Sequence, residues 1–180
     1  THGINDLRVF FLKNKKKIDI YADKVTLDYL KKNFSYYFKN GPEYPAILKA
    51  NKLKNNFSLG FNNELITFKS IKVKHGKINS IGYIFNNSAY ISDCNKFSKS
   101  NLINLKNLKY FIIDCLRFKP HPSHFCFNEV LNILKEIKPA QTILTNLHSD
   151  LDYNILLKKV PTNIKPAFDG LKIQLWNEKK

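Results

Sequence analysis

The sequence predicts an α/β fold, and two patterns of apolar residues support this prediction. In the second half of the chain, segments with helical spacing alternate with short apolar runs, as at 125–138 and 141–145. Between residues 47 and 92, apolar and polar residues alternate with a period of two and Asn or Gly marks the turns, which is typical of an antiparallel meander. We therefore expect a single α/β domain that spans residues 1–180.

The amino-terminal part predicts two helices around a strand. Helical spacing predicts a helix over 4–12, and alternation predicts a strand over 18–21. Asp23 is expected to cap a second helix, which ends at Phe34. The inward residues of that helix are predicted to be Val25, Leu27, Leu30 and Phe34. The aromatic segment 35–45 predicts an ordered loop, which either covers a site or closes the core.

The remaining elements follow from the same two patterns. The meander is expected to contain strands at 47–53, 57–60, 64–74, 81–85 and 88–92. After it, helices are predicted at 100–105, 125–138 and 150–159, and strands at 109–115, 141–145 and 171–176. Pro139 and Pro161 end two of the helices. Asp150 is the expected cap of the last helix, while the role of Asp152 stays open.

The composition restricts the class of protein. An apolar content of 43% with 13% aromatic residues indicates a folded globule. No apolar run approaches the roughly 18 residues that cross a bilayer, and the first residues lack a signal-peptide pattern. The three cysteines show no C-x-x-C spacing and fit reduced thiols. We therefore expect a cytoplasmic protein without a membrane partner.

The net charge of +16 has two interpretations. It would suit an anionic partner such as a nucleic acid or a phosphorylated small molecule. However, Lys and Asn are abundant along the whole chain, and only two of the 30 cations are arginines, Arg8 and Arg117. A general compositional bias explains this pattern better than a dedicated nucleic-acid surface. Arg117 stands out because the sequence otherwise uses lysine.

Two polar segments, 117–124 and 145–150, follow predicted strands, and His75 and Asp93 end strands further upstream. Three of the five histidines lie in these segments: His121, His124 and His148. Ligands bind at the carboxyl ends of strands in open α/β sheets. Imidazole and carboxylate groups bind zinc-type metals, and a pair of bridged ions can support phosphoryl displacement. Taken singly, each histidine still fits a hydrogen-bonded structural residue better than a ligand.

Five motifs occur in a fixed order along the chain. They are H-G at 75–76, S-D-C at 92–94, R-F-K-P-H-P-S-H at 117–124, T-N-L-H-S-D-L-D-Y at 145–153 and P-A-F-D-G at 166–170. Their order resembles the metallo-β-lactamase superfamily, and within it the branch of the phosphoribosyl 1,2-cyclic phosphate phosphodiesterase. The resemblance implies an αββα sandwich. It also implies that this sandwich is incomplete at the amino end, because the family's H-x-H-x-D-H motif would precede Thr1.

The resemblance implies a metal-dependent hydrolase. Its expected activity is that of a phosphodiesterase, which cleaves a cyclic phosphate or another small phosphodiester through hydroxide bound by two zinc or manganese ions. By resemblance His75, Asp93 and His148 bind metal, with Asp93 as the bridge, and His124 is the general acid. Many relatives carry a histidine where this chain has Asn146, which puts the assignment of His148 in doubt.

Three residues of the 117–124 segment are candidates for binding the substrate: Arg117, Lys119 and His121. A guanidinium group can bind two phosphate oxygens at once, which an ammonium group cannot. Two alternatives stay open. Arg117 would instead form a salt bridge with an acidic residue such as Asp169, and His121 would be a loop residue held between two prolines.

Two other functions stay open. The same binuclear centre would support a thioester or lactone hydrolase, because it can attack a carbonyl group. A basic nucleic-acid-binding module would use the positive surface and the aromatic residues 36–38 for base stacking. We expect a small phosphorylated substrate rather than nucleic acid, and a homodimer stays open. Without the amino-terminal motif, the 180 residues alone are expected to bind metal weakly or not at all and to be inactive.

Overall fold

The computed structural model describes residues 2–61 and 64–175. The chain divides into two compact units, residues 1–54 and residues 55–180, which we describe separately. Within the described residues, no helix combines the length and the apolar character needed to cross a bilayer.

The first unit contains two parallel strands. Its elements are a 3-10 helix His2–Asp6, α1 Leu7–Asn14, β1 Ile18–Ala22, α2 Lys24–Asn33, a 3-10 helix Ser35–Tyr37 and β2 Leu48–Lys52. The side chain of Asp23 accepts a hydrogen bond from the backbone nitrogen of Thr26 at 2.8 Å, which confirms the predicted cap of α2. The buried residues of this unit include Ile4, Leu30, Tyr37, Ile47 and Leu48.

Two predictions for the first unit are wrong. The strand predicted at 47–53 is not part of the meander, because β2 pairs in parallel with β1. The intervening helix carries the chain back to the start of the sheet, and such a crossover makes neighbouring strands parallel. Val25 is 78% exposed rather than inward. It lies about 200° around the helix from Leu27, which is buried, so the two residues occupy opposite faces.

The second unit is built on a seven-stranded sheet whose strand order follows the chain. The strands are β3 Asn56–Phe61, β4 Glu64–His75, β5 Ile78–Phe85, β6 Ser88–Ile91, β7 Tyr110–Asp114, β8 Gln141–Thr145 and β9 Ile164–Pro166. The helices are α3 Lys99–Asn104, α4 Phe127–Ile137 and α5 Tyr153–Lys159. Strands β3 to β6 pair antiparallel, and β6 to β9 pair in parallel. The predicted α/β class is therefore confirmed.

The apolar core of the second unit lies on one face of this sheet. Ile71 and Val73 of β4 are buried, and His75 continues the same face because strand side chains alternate. Gly82 of β5 allows Ile91 to pack closely, since a Cβ atom at Gly82 would lie 2.7 Å from Ile91 Cγ1. Ile91 of β6 thus packs directly against β5, which lies between β4 and β6.

Two predictions near the carboxyl end are wrong. Residues 171–175 form no strand, and the last strand of the described residues is β9. Its three residues beside β8 are too short to produce an alternating signal. The cap of α5 is Asp152, which accepts a hydrogen bond from the nitrogen of Ile155 at 2.9 Å, whereas Asp150 was the expected cap. The helix begins at Tyr153, so Asp150 lies too far upstream to cap it.

Candidate metal centre

Four strands of the second unit end at the same edge of the sheet. Strand β4 is antiparallel to β5, and β5 is antiparallel to β6, so β4 and β6 run in the same direction as β7 and β8. Their carboxyl ends therefore meet at one edge, as the sequence predicted. The polar residues that follow these strands lie close together there.

His75 ends β4 with a fixed ring orientation. Its Nδ1 atom lies 2.8 Å from the backbone carbonyl of Ser123, and a carbonyl oxygen can only accept a hydrogen bond. The ring therefore carries its proton on Nδ1 and presents the lone pair of Nε2. Gly76 follows with φ of +59°, and its nitrogen donates to the side chain of Asn95 at 3.0 Å.

His124 is oriented by Asp114, the last residue of β7. The Nδ1 atom of His124 donates to Oδ2 of Asp114 at 2.6 Å. Asp114 is fully buried, while the imidazole of His124 is 15% exposed. The rings of His124 and His75 lie 4.6 Å apart between centroids in an edge-to-face arrangement. Both histidines therefore keep Nε2 available.

Asp93 follows β6 and is exposed. Its carboxylate accepts a hydrogen bond from the hydroxyl of Ser92 at 3.1 Å. Its backbone carbonyl accepts a hydrogen bond from the hydroxyl of Ser80. Asp93 thus has a fixed backbone and a carboxylate that reaches solvent.

His75, Asp93 and His124 form a group that fits a divalent metal. One possible ligand atom from each residue lies within 4.8 Å of the others. Two imidazoles and one carboxylate match the donor set of an open zinc site, which uses about three protein ligands and leaves a position for water. The tautomers of the two histidines also favour metal binding, because each Nδ1 donates its hydrogen to an oxygen acceptor and Nε2 keeps its lone pair.

Asp114 is a buried polar group at this edge that accepts three hydrogen bonds. Besides His124, it accepts hydrogen bonds from the backbone nitrogen of Cys94 at 3.0 Å and from Nδ2 of Asn146 at 3.1 Å. Burial raises the pKa of Asp114, and these hydrogen bonds act in the opposite direction because they favour the carboxylate.

The structure does not bring His148 into the ligand group formed by the described residues. Its side chain is 52% exposed, and its Nδ1 atom lies 3.3 Å from a carboxylate oxygen of Asp150. The position at the end of β8 is instead taken by Asn146, whose backbone has φ of +60°. Asn146 donates from Nδ2 to the carbonyl of Ser92 at 3.3 Å and to Asp114.

The proposed phosphate-binding residues lie on the loop 117–124. The guanidinium of Arg117 donates to the backbone carbonyls of Lys119 at 3.2 Å and Pro120 at 2.8 Å, so it fastens its own loop. Lys119 is exposed. Asp169, the acidic partner considered from the sequence, is not the group that these two donors meet.

His121 packs beside His124, with 5.1 Å between the ring centroids. Its Nδ1 atom accepts a hydrogen bond from the nitrogen of Ser123 at 3.3 Å. The pKa of His121 is lowered, first because its ring loses solvation and then because the charge of Arg117 is near. The imidazole is therefore neutral and carries its proton on Nε2.

Sequence reasoning missed Asp114 as a part of this site, and it named Asn146 only as a departure from the pattern of the family. The signal for Asp114 was present, since a charged residue closes the apolar run of β7.

The segment 36–38, considered for base stacking, contains Tyr37, which is buried and only 1% exposed. Its ring packs against Tyr36 at 4.2 Å between centroids.

Comparisons with known proteins agree with this architecture. The model of a family described as "Beta-lactamase superfamily domain" matches residues 1–146. The structure of a new diphosphatase from the PhnP family is similar with a TM-score of 0.76 and 26% identity, over 87% of this chain and 57% of that one. The structure of Zn²⁺-bound PqqB from Methylobacterium extorquens is similar in fold, with a TM-score of 0.69 and 12% identity over 91% of this chain and 67% of that one.

An octanoyltransferase from Porphyromonas gingivalis is 26% identical over 174 residues. The match covers 94% of this chain and 34% of that protein. The chain therefore spans about a third of this curated relative and little more than half of the diphosphatase.

Proposed function

Since the chain belongs to the β-lactamase superfamily of metal-dependent hydrolases, we propose that it acts on a small phosphodiester, such as a cyclic phosphate. The observation that carries this proposal is the group of His75, Asp93 and His124 at the carboxyl edge of the sheet. A divalent ion bound there would activate water and polarise the phosphoryl group.

In this proposal the three residues hold the ion. The Nδ1 atoms of His75 and His124 are both occupied by oxygen acceptors, which leaves Nε2 of each ring as the donor to a metal, and Asp93 supplies the anionic oxygen. The sequence assigned His124 to proton donation. The geometry also supports a ligand role, since a ring nitrogen of His124 lies within 4.8 Å of a possible ligand atom of each of the other two residues. Zinc or manganese is the proposed metal, and the number of ions is open.

The loop 117–124 would bind the phosphate. His121 offers the proton on Nε2 to a phosphate oxygen, while Lys119 supplies an exposed positive charge. Arg117 holds the backbone between them and thereby fixes the distance from its loop to the ligand group. These residues bind and orient the substrate, and they do not need to change their protonation state to do so.

Two facts favour a phosphodiester over a thioester or lactone. The diphosphatase is similar in both fold and sequence, at 26% identity. The net charge of +16 also favours an anionic substrate over a neutral ester. The octanoyltransferase does not decide the chemistry, because the match covers only 34% of that protein.

The test compares two substrates on the full-length protein with added zinc or manganese. We expect hydrolysis of bis(4-nitrophenyl) phosphate, and we expect none of an acetyl thioester of similar size. Asp93→Asn should abolish the hydrolysis, whereas His148→Ala should leave it unchanged. Cleavage of the thioester alone would contradict the proposal and would support a thioester or lactone hydrolase instead. If neither compound is cleaved while zinc still binds, the phosphodiester assignment is wrong.

A further inference from the structure

We infer that Asp114 is the positioning residue of this site, because one buried carboxylate orients two of the three proposed ligands. The inference rests on the proposed function, since it explains how the ligand group is prepared for a metal. Asp114 does not itself belong to the group of possible ligands. It lies behind that group, at the end of β7, with no exposed surface.

The first contact fixes the ring of His124. Oδ2 of Asp114 lies 2.6 Å from Nδ1, and an ionised carboxylate can only accept hydrogen bonds. The ring proton must therefore stay on Nδ1, which leaves the lone pair on Nε2. Without this acceptor, a neutral imidazole would distribute its proton between the two nitrogens.

The second contact fixes the backbone beside Asp93. The same Oδ2 atom accepts a hydrogen bond from the nitrogen of Cys94 at 3.0 Å. That nitrogen belongs to the peptide bond that leaves Asp93, so the orientation of this peptide determines where the Asp93 side chain starts. Cys94 is fully buried, which prevents water from replacing the bond.

The third contact occupies the remaining oxygen of the carboxylate. Nδ2 of Asn146 donates to Oδ1 at 3.1 Å and also to the carbonyl of Ser92. Asn146 therefore joins the ends of β6, β7 and β8. Nδ2 of Asn146 also lies 3.2 Å from Nδ1 of His124, and since both nitrogens carry hydrogen in this arrangement, the carboxylate of Asp114 is the acceptor for both.

The variant Asp114→Asn distinguishes a positioning role of Asp114 from a role in packing alone. The variant keeps the volume of the side chain but replaces one acceptor oxygen with an amide donor. Three donors then face one acceptor, so His124 loses its defined partner. Ser88→Ala is the matched control, because Ser88 is also fully buried in this sheet but lies at the opposite end of β6, where its hydroxyl donates to Asn86.

The first readout is the tautomer of His124, measured by long-range ¹H–¹⁵N NMR on the metal-free chain. In the wild type and in Ser88→Ala we expect the Nδ1–H form alone. In Asp114→Asn we expect a mixture of both tautomers. This readout needs no metal and no activity. A wild-type His124 that carries its proton on Nε2 would overturn the inference, even if the variant failed to fold.

The second readout is zinc affinity by calorimetric titration of the full-length protein and its variants, each shown by circular dichroism to be folded. Loss of a residue that orients a metal-bound histidine typically weakens binding about 10–100-fold. We expect this loss for Asp114→Asn and no loss for Ser88→Ala. Equal affinity in all three proteins would refute the inference and leave the proposed function intact. A wild type that binds no zinc but shows the fixed tautomer would refute the proposed function alone.

Discussion

Nδ1 of His75 and the backbone carbonyl of Ser123 form a 2.8 Å hydrogen bond that joins the end of β4 to the loop 117–124. Because the acceptor belongs to the backbone, a change in the side chain at position 123 would not remove it. The bond depends instead on how closely the two segments approach each other. Gly76 determines this approach, since a Cβ atom there would lie 3.0 Å from Cβ of Ser123.

We predict that Gly76→Ala weakens both folding and zinc binding. The residue has φ of +59°, a conformation that costs an L-residue about 1–2 kcal/mol, and the new methyl group would push Ser123 away from His75. Gly170→Ala is the control, because Gly170 also has positive φ but has no atom within 4 Å of the added carbon. Urea unfolding should show a loss in both variants, and zinc titration a loss only in Gly76→Ala. Equal zinc affinity in the two variants would contradict this prediction.

Removal of individual histidines should identify the metal ligands. His75→Ala and His124→Ala should each reduce zinc affinity by more than the 10–100-fold typical of residues behind a ligand. His148→Ala should retain wild-type affinity, because its side chain lies outside the ligand group. Calorimetry measures all three variants. If His124→Ala keeps full affinity but loses phosphodiester hydrolysis, His124 is the proton donor that the sequence indicated.

The cysteines should be unreactive in the folded protein. Burial raises the pKa of Cys94 and of Cys115 to about 12, and it also raises the pKa of Cys126. Since the thiolate is the reactive form, iodoacetamide at pH 8 should label none of the three until denaturant is added. Mass spectrometry counts the labels. Rapid labelling of Cys115 without denaturant would show that the core opens at this strand.

The same shift predicts that alkaline pH destabilises the fold. Unfolded thiols ionise near pH 8.5, whereas the thiols of Cys94 and Cys115 retain their protons to about pH 12. Between these values the folded state binds more protons than the unfolded state, so the free energy of unfolding falls as pH rises. The thiol contribution is fully present below pH 8.5. Urea unfolding across this range should show a shallower decline for Cys115→Ala than for the wild type.

The amino end of α5 offers a matched pair of aspartates. Asp152→Ala should lower the free energy of unfolding by about 1 kcal/mol, because it removes the acceptor for the nitrogen of Ile155. Asp150→Ala should change it by less than about 0.5 kcal/mol, since Asp150 is exposed and its partner His148 is half exposed. Urea unfolding of both variants provides the measurement. An equal loss in the two would indicate that the helix starts earlier.

Much of the second unit could be predicted from the sequence, because its strands and helices are separated by clear turns. Alternation located β4, β5 and β6, and helical spacing located α4. The partner of β2 could not be predicted in this way, since a period of two shows that a segment is a strand but not which strand it pairs with. The parallel pair with β1 depends on the path of α2, which is a property of the three-dimensional structure.

The site was predictable as a region but not in its detail. Motif order pointed to His75, Asp93 and His124, and the structure brings these three together. The order of the motifs could not show that Asp114 forms a hydrogen bond with His124, because the two residues meet only once β7 and the loop after it are folded. His148 lies in a motif similar to that of the family, but the chain turns so that its ring meets Asp150 at the surface.

The strand order of the second unit has a consequence for its assembly. Each strand pairs with the one that precedes it in the chain, so every strand that is added finds its neighbour already present. During synthesis His75 and Asp93 would emerge first, and Asp114, His124 and Asn146 would follow in this order. We therefore expect the ligand group to be completed late, when β8 docks and Asn146 closes it.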